Sequence, residues 1–82
     1  MAADLMTYVH VKLFADLQQF IGGAPSINVE ISSGETVASV IEQLGVPHDR
    51  VKIIFLNARF TPLEHPLQGG EQLSIFSAVG GG

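Results

Sequence analysis

The side chains of this 82-residue chain offer little that could carry a reaction. His10, His48 and His65 fall on separate segments without the spacing of a metal site, so no metal ligand set is expected. Asp16, Glu30 and Glu71 are far apart, and nothing in the pattern brings two of them together for acid–base work. Ser74 and Ser77 have no candidate base, and GGAPS lacks the length and the lysine of a phosphate loop. Cysteine is absent, which removes thiolate nucleophiles, thiolate metal sites, iron–sulfur clusters and disulfides. What remains is the main chain. The sequence closes on SIFSAVGGG, a strand-like segment running straight into Gly80, Gly81 and Gly82. If the tail does chemistry, its carboxylate, a poor electrophile, must first be activated, and the tail must then enter another protein's active site. Glycines suit the task because, without Cβ, they pass a narrow channel and take any backbone angles. From Phe76, six residues extended reach roughly 20 Å.

Composition bounds what could hold such a tail. At 46% hydrophobic residues, the chain has enough apolar material for a single core and is too short for two domains. No apolar run has the length of a membrane span, and residues 1–7 lack the pattern of a secretion signal, so a soluble cytoplasmic protein is expected. The formal net charge is −4, and the four basic residues, Lys12, Arg50, Lys52 and Arg59, form no stripe in the sequence. Nucleic-acid binding needs clustered positive charge and is not expected. An acidic domain is steered toward basic surfaces, which makes a basic protein partner the natural expectation.

Periodicity gives the elements. In YVHVKLFAD, Val9, Val11 and Leu13 alternate with Tyr8, His10, Lys12 and Phe14 as in a strand with one buried face. DLQQFIGG suggests one or two helical turns stopped by Gly22-Gly23, and SINVEIS alternates again as a second strand. GETVASVIEQLG carries Val37, Val40, Ile41 and Leu44 as one apolar stripe, with Thr36 as N-cap and Gly45 just past the end. VKIIFLNARF is an apolar run broken at Asn57-Ala58, two strands of a tight hairpin in which Ala58 is forced toward positive φ. LQGGEQLSIFSAV is a glycine turn and a last strand. A single helix with one apolar face must cover one face of a single sheet. The expected fold is therefore α+β: a β-grasp roll with a mixed four- to five-stranded sheet, its first and last strands adjacent and parallel at the centre. A domain over 8–79 is expected, between a flexible N-terminus 1–7 and a glycine tail 80–82.

In this order of elements the chain resembles the ubiquitin-like sulfur carriers, which include the small subunit of molybdopterin synthase and the thiamin-pathway carrier. The resemblance is carried by VKLFADLQQFIG, GETVASVIEQLG and LNARFTPLEHPLQGGEQLSIFSAVGGG, and the opening LFA with HPLQGGEQLSIF lies nearer the molybdopterin synthase subunit. It implies that Gly82 is adenylated and converted to a thiocarboxylate that donates sulfur in molybdenum or tungsten cofactor synthesis, with Gly80 and Gly81 threading the partner's channel. The chain would be no enzyme by itself. The implied partners are a ubiquitin-activating-like adenylating enzyme using ATP and Mg²⁺, a sulfurtransferase, and the molybdopterin synthase large subunit, or thiazole synthase for a thiamin carrier; this chain would bind no cofactor itself. A ubiquitin-like modifier that joins target lysines, and a binding module with an inert tail, remain as alternatives. The sequence departs from the family pattern at Asn57-Ala58, where Asn-Gly is usual, at Gly69-Gly70-Glu71 in place of a Gly-Asp turn, and at Ser77-Ala78, where prolines are frequent. Its third terminal glycine would move the carboxylate outward by about 3.5 Å.

Strand parity adds a docking face. With Val9, Val11 and Leu13 toward the helix, Phe14 faces outward; with Leu73 and Ile75 toward the helix, so does Phe76. Both lie where the tail leaves the sheet, and Phe60 matches a position that the family keeps apolar at its partner interface. Phe14, Phe60 and Phe76 are the expected partner-binding residues, although a ring at Phe60 could equally fold into the core. Parity leaves Phe55 undetermined, because Ile53–Leu56 is unbroken apolar.

Overall fold

A computed structural model describes residues 6–77. Strand β1 (Met6–Leu13) is followed by a 3-10 turn (Ala15–Ile21), β2 (Ser26–Ser32), helix α1 (Val37–Leu44), a second 3-10 turn (His48–Arg50), β3 (Val51–Leu56), β4 (Arg59–Phe60) and β5 (Gln72–Ser77). The strands form one sheet in the order β2-β1-β5-β3-β4. Only β1 and β5 run parallel; the other neighbours are antiparallel. This is the α+β β-grasp arrangement expected from the order of elements. The first strand begins at Met6, two residues inside the segment expected to be flexible, because Met6 and Thr7 extend the pairing with Ser32 and Ile31. Ala78, Val79 and the glycines Gly80, Gly81 and Gly82 lie outside the described residues.

The core follows the periodicity. Val9, Val11 and Leu13 from β1, Val29 and Ile31 from β2, Ile54 from β3, and Leu73 and Ile75 from β5 meet Val37, Val40 and Ile41 of α1. Leu17 and Leu67 join from the connecting segments, both fully buried. Each such side chain contributes on the order of 1.5–3 kcal/mol when removed from water.

Helix α1 is short, and its first turn is fully satisfied. The Thr36 hydroxyl accepts from the Ser39 amide at 3.2 Å, the Val37 and Ala38 amides donate to the carbonyls of His65 and Leu63 at 3.0 and 2.9 Å, and the Val40 amide donates to Thr36. The Val40 bond is the first within the helix, and the three amides before it are thus all occupied. Glu35 locks the approach: its carboxylate accepts from the Ser32 amide at 2.8 Å and the Ser39 hydroxyl at 2.7 Å. Those two bonds, the Ser32 amide foremost, hold its carboxyl below the usual range against a smaller opposing effect of burial. Gly45, at φ 81°, ends the helix in the left-handed conformation that a residue without Cβ adopts freely.

Two tight turns set the register of the remaining strands. Leu56 pairs with Arg59 across Asn57 (φ 50°) and Ala58 (φ 73°), a primed two-residue hairpin with a Cβ-bearing residue in its second position. The Asn57 amide donates to the Gln72 carbonyl and the Asn57 side chain accepts from the Gln72 amide, each at 2.9 Å, so the hairpin also fixes the start of β5. Before β5, the Glu71 carboxylate accepts from the amides of Gln68 and Gly69 at 2.8 and 2.7 Å, while the Gly70 amide donates to Tyr8 at 2.7 Å. Glu71 thereby does what a turn aspartate would do with a shorter side chain.

Candidate docking face and tail exit

The face of the sheet turned away from α1 is divided in two. Toward β2 it is polar: Tyr8, His10 and Lys12 lie opposite Glu30, Asn28 and Ser26, and His10 Nδ1 is 2.7 Å from Asn28 Oδ1. Toward β4 it is aromatic. Phe14 and Phe76 stack with centroids 4.3 Å apart and planes within 4° of parallel. Phe55 meets Phe76 edge-on at 5.7 Å, and Phe60 lies against Phe55 at 4.7 Å. Offset and edge-on contacts of this kind add about 0.5–1.5 kcal/mol per pair beyond area burial. The rings run continuously across β1, β5, β3 and β4.

Backbone geometry explains the positions. Phe14 closes β1 with its amide donating to Ile75 at 3.1 Å, and Ala15, at φ 58°, then reverses the chain into the 3-10 turn. The Gln18 side chain donates to the Leu13 carbonyl at 3.0 Å, and buried Leu17 pins the turn from below. Phe76 is on the central strand. Opposite it Ile53 lies in register, one residue past a shift that follows Val51↔Ser77. Phe14, Ile53, Phe55 and Phe76 wall a groove of about 350 Å³ that Lys52 and Ser77 also border.

Phe14, Phe60 and Phe76, predicted from the sequence, are thus brought onto one face. Phe14 and Phe76 are half-buried by each other, and Phe60 stays 75% exposed rather than turning into the core. Ile53, Phe55 and Lys52 were missed. A signal for Phe55 existed: a two-residue turn at Asn57-Ala58 makes Phe55 the cross-strand partner of Phe60, so the two must share a face. The expected tail residues Gly80, Gly81 and Gly82 lie outside the described residues; Ser77, buried and paired with Val51, is the last position described.

The histidines remain apart. His10 is on the polar half of the outer face, His48 lies 3.7 Å from Glu42 on the helix side, and the His65 carbonyl accepts from the Val37 amide of α1. Among the described residues, no group of three or more histidine or acidic side chains is placed to hold a metal ion, and no helix is long and apolar enough to cross a membrane.

Comparison with known proteins places this geometry. The model of the ThiS family matches residues 11–82. Among solved structures, a Pyrococcus furiosus protein provisionally assigned as molybdopterin converting factor, subunit 1, is 24% identical with a TM-score of 0.72, over 89% of this chain and 99% of that one. The small archaeal modifier protein 1 of Methanosarcina acetivorans is also 24% identical, TM-score 0.70, over 95% and 99% of the two chains. The Haloferax volcanii protein HVO 2177 is 20% identical, TM-score 0.75, over 94% and 88%. No curated protein matches.

Proposed function

The chain belongs to the ThiS family of ubiquitin-like sulfur carriers, and from that premise we propose that the carboxyl of Gly82 is the group it presents for chemistry, in molybdopterin synthesis as the small subunit of the synthase. Proteins of this family are small carriers that work with an activating enzyme and a synthase partner. The observation that carries the proposal is the extent of the family match, which takes in the three glycines as well as the domain.

The chemistry runs in the cytoplasm, where the partners supply the catalytic groups. An adenylating enzyme holding ATP and Mg²⁺ joins the Gly82 carboxylate to AMP and releases pyrophosphate. The outer sulfur of a sulfurtransferase persulfide displaces AMP, which leaves as its phosphate monoester anion, and a second thiol then cleaves the resulting acyl disulfide, releasing the thiocarboxylate and pairing with the sulfurtransferase cysteine as a disulfide. The soft sulfur then attacks a pterin precursor held by the large subunit, and hydrolysis returns the carboxylate. The domain's part is delivery. From Ser77, five extended residues span about 17 Å, and the aromatic face beside that exit gives the partners a surface to grip through Phe14, Phe60 and Phe76. The match to a small archaeal modifier protein favours a second reading, in which the adenylate is attacked by a lysine amine and an amide results.

Intact mass of the full chain after incubation with the cognate adenylating enzyme, ATP and a sulfide donor separates these readings. A sulfur carrier gains the difference between one sulfur and one oxygen, and the gain disappears when Gly81 and Gly82 are both deleted. Larger covalent adducts identify a modifier, and an unchanged mass with active enzyme sinks both.

A further inference from the structure

The sign of the charge around the aromatic face is opposite to that of the whole chain. Lys12 stands in the same cross-strand row as two of the rings: it pairs with Ser74, Ser74 with Phe55, and Phe55 with Phe60. Lys52 borders the groove between Phe14 and Phe76. Arg59 precedes Phe60 on the edge strand, but its pairing with Leu56, which pairs with buried Leu73, puts it on the helix side of the sheet. All three are exposed, and among the described residues none lies within ion-pair distance of a carboxylate. The fourth basic residue, Arg50, is paired with Asp16 at 2.7 Å, which neutralises the acid nearest to Phe14 in the chain.

Four of the other described carboxylates are occupied or lie away from the rings. Glu35 and Glu42 belong to the helix side, and Glu71 is held by two backbone amides of its own turn. Glu30 shares the outer face but lies opposite Tyr8, toward the far edge of the sheet. A Debye length of about 8 Å at physiological ionic strength screens distant charge, so a docked surface responds to the nearby lysines more than to the net −4. Closing an apolar contact over Phe14, Phe55 and Phe76 strips water from Lys12 and Lys52. A neutral or basic surface would leave them unpaired, which is strongly unfavourable.

We propose that the adenylating enzyme which activates the tail presents to this face an apolar socket bordered by carboxylates placed for Lys12 and Lys52. The inference rests on the sulfur-carrier reading and reverses the basic partner suggested by net charge. It is tested with the full chain and the cognate adenylating enzyme in ATP–pyrophosphate exchange, comparing wild type with a Lys12→Glu/Lys52→Glu chain and a Lys12→Gln/Lys52→Gln chain. The reversed pair is expected to raise KM roughly tenfold or more at low salt, the glutamine pair less, with kcat retained and the difference shrinking as salt is added. Should reversal disturb folding, the glutamine pair still carries the comparison. Wild-type KM in both variants, or a lower KM on reversal, would overturn the acidic socket while leaving the carrier reading intact. No exchange with the wild-type chain would overturn the carrier reading and the socket with it.

Discussion

Ala58 offers the sharpest test of the geometry that carries Phe55 and Phe60. Its φ of 73° puts a Cβ-bearing residue in the left-handed region, at a cost of about 1–2 kcal/mol for an L residue. Replacing it with glycine removes that strain but adds freedom to the unfolded chain, which returns about 0.4–1 kcal/mol. The net expectation for Ala58→Gly is a gain of roughly 0.5–1 kcal/mol, or a Tm raised by about 2–8 °C for a domain of this size. With no tryptophan and one tyrosine, the transition is best followed by far-ultraviolet circular dichroism, with heat and with urea. Asn57→Gly supplies the contrast. Asn57 tolerates its φ of 50° and binds the Gln72 amide through its side chain, so glycine there should lower stability, by about 0.5–1.5 kcal/mol for the lost bond. An Ala58→Gly midpoint equal to or below wild type would refute the primed turn, and with it the register that puts Phe55 and Phe60 on one face.

Three further outcomes follow from side chains already placed. Glu35 has a native carboxyl pKa below its unfolded value, so its contribution is fully present above the unfolded pKa of about 4.3 and is lost as pH falls through the lower native value. Glu35→Gln should therefore flatten the acid limb of stability against pH, and an unchanged limb in urea melts would show that the carboxylate is not engaged. At Gly69, φ is 121° and an added Cβ would sit on the Thr7 side chain, 2.8 Å from its Cβ; Gly69→Ala should cost on the order of 1–3 kcal/mol, and a midpoint within error of wild type counts against the close approach of this turn to β1. Phe76→Asp should keep the circular dichroism spectrum of the fold while abolishing binding to the large subunit. An unfolded spectrum would instead assign the ring to the core.

The fold was legible because its elements bury one face each. Val9, Val11 and Leu13 alternate cleanly, and Val37, Val40 and Ile41 make one stripe, so the core could be read directly. Ile53–Leu56 could not be read this way, since β3 is apolar on both faces: Ile54 belongs to the core while Ile53 and Phe55 wall the outer groove. Periodicity carries no information where both faces are apolar. The shift between Val51 and Ile53, which sets Lys52 beside the groove, is likewise a local register event with no composition signal. Ala15 is a third case. Nothing about an alanine between Phe14 and Asp16 announces φ 58°; the demand comes from the chain's need to leave β1 and bury Leu17 within two residues. Net charge is silent in a different way, because it sums over faces that the fold separates and does not say that Lys52 borders the aromatic groove.

The placement of β5 bears on how a carrier of this kind is controlled. Its pairing with β1 joins residues as distant as His10 and Gln72, and its pairing with β3 joins Val51 to Ser77. Contacts of such sequence separation form only after long loops have closed. The strand is hydrogen-bonded on both flanks, and Leu73, Ile75 and Ser77 are buried on its core face. A tail leaving an edge strand such as β2 would inherit the fraying that edges undergo. Leaving the centre, it starts from a point whose position depends on the whole sheet being assembled, next to a ring stack, Phe14 on Phe76, that itself exists only when β1 and β5 are side by side. An incompletely folded chain thus lacks the aromatic face and the anchored end of β5 together.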